Sequence, residues 1–98
     1  MLIRSQDKTC LTNMAQVTDI FYNESRNGTM QNITAEVASG DTTHFGTYST
    51  EEKAIKVLDM IEDAYNKCFA FSMGNDGYYH EVRESKVFQM PQDSEVEE

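Results

Sequence analysis

The sequence contains little cysteine, little proline and no long apolar run. Only two cysteines, Cys10 and Cys68, and one proline, Pro91, occur in 98 residues. Two cysteines in a reducing cytosol are typical of buried free thiols rather than of a disulfide bridge. No stretch approaches the roughly 18 apolar residues that a membrane-spanning helix needs, and the N-terminus becomes polar too early for a secretory signal peptide. We therefore expect a cytoplasmic protein that makes no contact with a membrane.

Glycine and the usual signatures of active sites are scarce as well. The five glycines are scattered at predicted turns, and neither of the phosphate-binding patterns G-x-x-x-x-G-K-[ST] and G-x-G-x-x-G occurs. The histidines and cysteines that could ligate zinc are Cys10, His44, Cys68 and His80. None of them forms the closely spaced pair that is typical of a zinc site. We expect no metal, no cofactor and no enzymatic activity.

Positive charge is the other shortage. Eight lysines and arginines stand against 17 aspartates and glutamates, which gives a formal net charge of −9 and an isoelectric point near 4.5. Such a surface repels phosphate backbones and anionic lipids, and it favours proteins that carry a basic surface. Residues 1–90 hold 13 acidic and 8 basic residues, and the other four acids lie between residues 93 and 98. The expected partner is a basic protein surface, not nucleic acid itself.

The first half of the chain shows the period-two pattern of strands rich in β-branched and aromatic residues. The Asn27-Gly28 pair predicts a type I′ hairpin turn, because both residue types accept positive φ angles. After the turn, Ile33, Ala35 and Val37 alternate with polar residues and therefore share one face of a strand. The other predicted strands are residues 2–5, 9–13, 17–22 and 42–48.

From residue 50 the apolar period changes to 3.6, which predicts an amphipathic helix. Ser49 or Thr50 can cap its first N–H groups. We expect the helix to continue to residue 71 or 73 and to stop at Gly74. Its apolar stripe consists of Ala54, Val57, Leu58, Ile61, Ala64, Tyr65 and Cys68.

These patterns together predict an α+β fold. An antiparallel meander of five or six strands packs on one long amphipathic helix. Residues 78–82 form either a strand or an ordered loop, and residues 87–90 form a short C-terminal strand that Pro91 ends. Residues 1–91 are expected to make a single domain, and residues 92–98 a disordered acidic tail, because that segment has almost nothing to bury.

A group of aromatic residues surrounds the predicted end of the helix and exceeds what the apolar stripe requires. Core packing is the favoured explanation of such a group, and the alternative is an exposed apolar patch that serves as a dimer or partner interface. The helix also carries two pairs of adjacent carboxylates, Glu51-Glu52 and Glu62-Asp63. Adjacent residues point about 100° apart on a helix, so each pair is expected to face solvent rather than to act in acid–base catalysis. The candidate partner interface therefore consists of Glu62, Asp63, Phe69, Phe71, Tyr78 and Tyr79.

Four segments carry a resemblance to a known group of proteins. They are the opening MLIRSQDK, the strand-to-helix junction FGTYSTEEKA, the helix segment VLDMI and the closing VFQMP. With these segments the chain resembles a group of small, uncharacterised proteins encoded by Firmicutes and their phages. The resemblance implies an intracellular origin in a phage or prophage. It carries over no catalytic or binding residue, because the shared segments are a strand, a capped helix start and a terminal strand.

Two functions of different class follow from charge and resemblance. The first is a binding inhibitor, of the anti-CRISPR or DNA-mimic type, in which carboxylates replace phosphates in a basic groove of a host defence nuclease. The alternative is a structural or assembly module that forms a homodimer through a strand edge or through the aromatic group. Neither function requires enzymatic activity.

Overall fold

The computed structural model describes the backbone of residues 1–67, 69–73, 79–83 and 86–97, and the side chains of residues 1–67 and 86–97. Within these ranges the protein is α+β, and its one α-helix, α1 (Glu51–Asn66), packs on β3, β4 and β5. The strands are β1 (Leu2–Arg4), β2 (Leu11–Asn13), β3 (Val17–Glu24), β4 (Gln31–Val37), β5 (Thr42–Tyr48), β6 (Phe69–Met73), β7 (Tyr79–Arg83) and β8 (Val87–Gln89).

The strands do not form the predicted single sheet of five or six. Strands β3, β4 and β5 make one three-stranded antiparallel sheet, and β2, β1 and β8 make a second three-stranded sheet. Strand β6 pairs with β7 in a two-stranded sheet. The predicted meander breaks after β2, where a 3₁₀ turn, Met14–Gln16, reorients the chain. Asn13 caps this turn, because its Oδ1 accepts a hydrogen bond from the Ala15 amide at 3.0 Å.

The predicted C-terminal strand is confirmed as β8, and it completes the second sheet. It lies parallel to β1, with Ile3 opposite Phe88, while β2 lies antiparallel on the other side of β1. The Met90 amide extends the pairing by donating to the Arg4 carbonyl at 3.0 Å. The two terminal regions of the chain are therefore held together by backbone hydrogen bonds.

The turn between β3 and β4 lies where it was predicted, but its type differs. A type I′ turn needs two positive φ angles, and only Gly28 has one here, at 69°. Asn27 acts through its side chain instead, since its Oδ1 accepts hydrogen bonds from the Thr29 amide at 3.2 Å and from the Ser25 hydroxyl at 2.6 Å. The preference of asparagine for side-chain turns explains why the position was predictable and the backbone type was not.

Helix α1 starts as predicted and ends earlier than predicted. Of the two candidate caps, Thr50 is the one used, because its Oγ1 accepts a hydrogen bond from the Lys53 amide at 3.2 Å. The helix ends at Asn66 rather than at residue 71 or 73, since residues 69–73 pair as strand β6 with β7. Pairing along a strand satisfies the same backbone groups that a longer helix would have satisfied, and tertiary context decides between them. Cys68, the last member of the predicted stripe, lies outside the described residues.

The core lies between α1 and the sheets. From the helix it receives Ala54, Val57 and Ile61, each at most 4% exposed. A register irregularity opposite Ile33 and Thr34 places both Phe45 and Tyr48 inside. The other buried apolar residues are Ile3, Ile33, Ala35, Met90 and Val96.

Candidate protein-binding surface

The two flanks of α1 differ in what covers them. One flank faces the C-terminal segment, residues 91–97, and carries lysines. There Lys53 Nζ donates to the Asp93 main-chain carbonyl at 3.0 Å and lies 3.4 Å from its carboxylate. One turn further on, Lys56 Nζ donates to the carbonyl of Glu97. The C-terminal segment therefore occupies the basic side of the helix.

The sequence predicted a disordered acidic tail at residues 92–98, and in the structure residues 92–97 lie against the helix. Residues 93–95 form a 3₁₀ turn, and Val96 is only 5% exposed because it enters the core. The buried Tyr48 hydroxyl donates to the Pro91 carbonyl at 2.8 Å, and burial raises the pKa of this phenol. Val96 is the one apolar residue of this segment, and its burial stabilises the contact with the core although the composition of the segment is that of a solvated tail.

Asp93 anchors the same segment to the start of the helix. Its Oδ1 accepts hydrogen bonds from the Ser49 amide at 2.8 Å and from the Ser49 hydroxyl at 3.0 Å. The hydrogen bond from the Ser49 amide, helped by the charge of Lys53, holds the pKa of Asp93 below its usual value. Ser49, the alternative cap candidate, is thus engaged with the C-terminal segment.

The outward side of α1 is acidic. Glu52, Asp59 and Asp63 are separated by seven and four residues, so they return to the same side of the helix, and all three are exposed. We call these three residues the acidic face. Asp63 also pairs with Lys67 at 2.8 Å, an exposed contact one turn along the helix. The exposed Lys56 lies on this same side of the helix, four residues after Glu52, and its Nζ bonds the Glu97 carbonyl. Lys53 lies on the flank of the C-terminal segment, where it bonds Asp93.

The second flank of α1 borders an open groove beside β3. A cavity of about 290 Å³ lies there, and its floor is apolar. The groove has the exposed Glu62 on its rim. Its other lining residues are Met14, Ile20, Leu58, Ile61 and Tyr65, and we call these six residues the β3 groove.

Carboxylates also stand where β3 meets the first turn of α1. The Tyr22 hydroxyl donates to the Glu51 carboxylate at 2.6 Å. This hydrogen bond, together with the negative charges of Glu51 and Glu24, raises the pKa of Tyr22. Both glutamates are exposed. The strip between β3 and α1 therefore carries negative charge at Glu24 and Glu51 as well as at Glu62.

A second cavity, of about 300 Å³, lies near the end of α1. Met1, Met60 and Phe88 contribute apolar surface to it, and the ions along its wall are of both signs, Asp63 beside Lys67 and Lys86. Mixed charge selects no particular partner charge. The β3 groove, by contrast, contains a single ionisable side chain of acidic type, Glu62, apart from the Tyr65 phenol.

The structure places only part of the predicted partner interface. Glu62 and Asp63 are exposed on α1, and Glu62 lies at the β3 groove while Asp63 belongs to the acidic face. The side chains of Phe69, Phe71 and Tyr79, and all of Tyr78, lie outside the described residues. The interface therefore stays a prediction for all six residues.

Sequence reasoning assigned Leu58, Ile61 and Tyr65 to a core stripe and did not recognise a groove. Ile61 is buried, but Leu58 is half-buried and Tyr65 is 39% exposed. Residues on β3 and in the preceding turn form the other wall, so no spacing within the sequence indicates the groove. The one local indication is the width of the apolar stripe: it includes Leu58 and Tyr65, which lie at its edge and are not fully buried by the sheet.

The candidate metal ligands do not meet in the described part of the chain. No group of three or more histidine, cysteine, aspartate or glutamate residues is arranged there to hold an ion. The His44 ring instead lies 3.1 Å from the Thr47 hydroxyl, and His80 falls where side chains are outside the described residues. Cys10 is exposed, contrary to the expected buried thiol, because it lies in the turn before the edge strand β2.

Comparisons with other proteins add no family to this description. No family model, no curated protein and no solved structure matches the chain. Among the described residues, no helix is long and apolar enough to cross a membrane. The geometry and charge of α1 are therefore the features of the molecule that bear on function.

Proposed function

We propose that this protein is a small acidic binding protein, without enzymatic activity, that occupies a basic groove on a protein partner. The partner class that fits is a nuclease of host defence against phage, whose nucleic-acid groove binds carboxylates in place of phosphates. The observation that carries the proposal is the acidic face of α1, on which the ammonium of Lys56 is bonded to the Glu97 carbonyl, while Lys53 bonds Asp93 on the neighbouring flank. The resemblance to phage-encoded proteins of Firmicutes points to the same partner class.

Binding through an acidic face has an expected dependence on salt concentration. A helix that presents Glu52, Asp59 and Asp63 along one side offers negative charge at separations of about 10 Å and about 6 Å along its axis. Attraction between this face and a basic groove speeds association, and salt screens it over about 10 Å at 0.1 M ionic strength. Inhibition by this mechanism is therefore strong at low salt and weak at high salt.

The test uses DNA cleavage by a panel of purified RNA-guided and restriction nucleases. We expect the wild-type protein to inhibit at least one of them at low salt, and the Asp59→Lys/Asp63→Lys variant to lose this inhibition by about tenfold or more. The Glu36→Lys/Asp41→Lys variant reverses the same number of charges away from α1 and should inhibit like the wild type. Equal inhibition by both variants, or no inhibition of any nuclease, contradicts the proposal.

A homodimeric assembly module is the second candidate, and exposed apolar residues on two edge strands favour it. Leu11 on β2 is 50% exposed and Val87 on β8 is 57% exposed, and these strands are the two edges of one sheet. Unpaired edges with apolar side chains favour association of like chains. Light scattering at high micromolar concentration separates the candidates, because a strict monomer excludes the assembly module.

A further inference from the structure

Strand β3 is an edge strand with backbone groups available for pairing. In its sheet the order is β3, β4, β5, and no described strand pairs with the outer side of β3. The Ser25 amide donates to the Met30 carbonyl, which sets the phase of the β3–β4 ladder. Since bonded and non-bonded pairs alternate in an antiparallel ladder, the N–H and C=O groups of Ile20, Tyr22 and Glu24 point away from β4. A segment laid beside β3 meets these groups.

The side chains near this edge define what such a segment must contain. Ile20 and Tyr22 pack partly against the core, and the β3 groove lies between this side of β3 and the flank of α1. Because side chains alternate along a strand, every second residue of an added strand points into the groove. The apolar floor requires apolar residues at those positions.

The charges around the β3 groove indicate which charged residues a bound segment should carry. Glu24 and Glu51 flank Tyr22, and Glu62 lies on the rim of the groove. Lysine or arginine residues in the added segment can reach these carboxylates, so a basic segment is favoured. A second copy of this chain would add its own β3, which carries Asp19 and Glu24 and neither lysine nor arginine, to an edge that is already negative, so charge disfavours it as the occupant.

We propose that β3 and the β3 groove bind an extended segment of the partner protein, with alternating apolar and basic residues, as an additional strand. This inference rests on the proposed function, because it identifies how the basic partner is held beyond attraction to the acidic face. Main-chain hydrogen bonds to Ile20, Tyr22 and Glu24 contribute affinity, and the apolar groove and its glutamates select the sequence.

The probe is a fluorescently labelled peptide of about ten residues in which lysine and valine alternate, which is long enough to pair along β3. A peptide with glutamate in place of lysine serves as the control for charge. Binding is measured by fluorescence anisotropy, and amide hydrogen exchange is followed by NMR. We expect the lysine peptide to bind, the glutamate peptide not to bind, and exchange to slow at the amides of Ile20, Tyr22 and Glu24.

Two substitutions at one position separate the backbone contribution from the charge contribution. Glu24→Pro removes an N–H that points away from β4 and leaves the ladder of β3 with β4 intact, as proline on an edge strand does. Glu24→Ala removes the carboxylate and keeps the N–H. We expect Glu24→Pro to weaken peptide binding at least tenfold and Glu24→Ala to weaken it about threefold, each in a protein that NMR shows to be folded.

The outcomes distinguish this inference from the proposed function. Unchanged peptide binding by Glu24→Pro, or binding without protection of the three β3 amides, overturns the added-strand proposal. Nuclease inhibition that disappears in Asp59→Lys/Asp63→Lys but is unaffected by Glu24→Pro supports the acidic face and rejects the β3 edge. The reverse pattern supports the β3 edge and rejects the acidic face. Self-association through β3, seen as slowed exchange at the same amides on concentration, also overturns the proposal.

Discussion

The two flanks of α1 differ in whether another part of the described chain covers them. On the flank with Lys53 and Lys56, the C-terminal segment supplies Asp93, the Glu97 carbonyl and the buried Val96. On the flank of the β3 groove, no described segment covers Leu58 and Tyr65, and the neighbouring ions are carboxylates. The helix is held to its own chain through the flank with matching charge. Among the described residues, the open flank and the acidic face are the surfaces that we propose for a partner.

The largest expected effect on the free energy of unfolding comes from a substitution in the core beneath α1. Ile61 is 4% exposed and contributes to the core and to the floor of the β3 groove. The Ile61→Asp substitution buries an unpaired charge and should cost about 4 kcal/mol of the free energy of unfolding, enough to unfold the domain. Glu62→Ala, at the next and exposed position, should change it by less than about 0.5 kcal/mol. Denaturant titration followed by circular dichroism measures both.

A wild-type-like midpoint for Ile61→Asp would mean that α1 does not pack through this side. Leu58→Asp is expected to destabilise less than Ile61→Asp, because Leu58 is half-buried at the groove. The reverse order of the two aspartate substitutions would show that the groove is closed in solution.

A second pair of substitutions compares the tyrosine hydroxyls of the two flanks. Tyr48 donates to Pro91 from a buried position, and Tyr22 donates to Glu51 at the surface. Tyr48→Phe should lower the free energy of unfolding by about 1 kcal/mol, since a buried hydrogen bond is lost. Tyr22→Phe should lower it by less than about 0.5 kcal/mol, because water replaces an exposed partner.

Thermal unfolding of both tyrosine variants at neutral pH checks this difference. Amide exchange adds a local test, since Tyr48→Phe should speed exchange at the Glu95 and Val96 amides of the C-terminal segment. Equal losses for the two variants would contradict the contrast between a covered and an open flank.

The smallest expected effect is the dependence of the covered flank on pH. The folded state lowers the pKa of Asp93, so its contribution to stability is present above the unfolded value near 3.9 and is lost as the pH falls through the folded value. Asp93→Asn should cost about 0.5–1 kcal/mol at neutral pH and reduce the acid dependence of stability. Urea unfolding at several pH values below 5 measures this change.

Asp7 provides the control, because its pKa is about 2 for a reason unrelated to either flank. Hydrogen bonds from Ser5 and Thr9 lower it in the turn between β1 and β2. Asp7→Asn should therefore remove acid dependence between about pH 4 and pH 2 without loosening the C-terminal segment. An acid dependence that survives Asp93→Asn in full would place the whole effect at Asp7.

Local patterns predicted the elements that depend on neighbouring residues. The strands of the hairpin, the position of the Asn27-Gly28 turn, the start of α1 near Thr50 and the strand at 87–89 all follow from alternation, turn residues or caps. The predictions were wrong where pairing between segments that are distant in the sequence determines the structure. The helix end depends on pairing of β6 with β7, and the split of the sheet depends on β8 joining β1 from the far end of the chain.

The candidate site divides in the same way. That Glu62 and Asp63 would be exposed follows from their place opposite the apolar stripe. That Lys53 would bond Asp93 does not follow, because the two residues are 40 positions apart in the sequence. The β3 groove was not predictable either, since its two walls come from β3 with the preceding turn and from α1.

The sequence by itself determined the acidic character of the protein, its α+β class and the amphipathic nature of α1, because composition and periodicity are local properties. Only the tertiary structure decided which charges are exposed together and which strand edge is open among the described residues. The C-terminal residues illustrate the reason. Their composition is that of a solvated tail, yet burial of Val96 and the bonds of Asp93 hold them against the helix, and both depend on surfaces that exist only after folding.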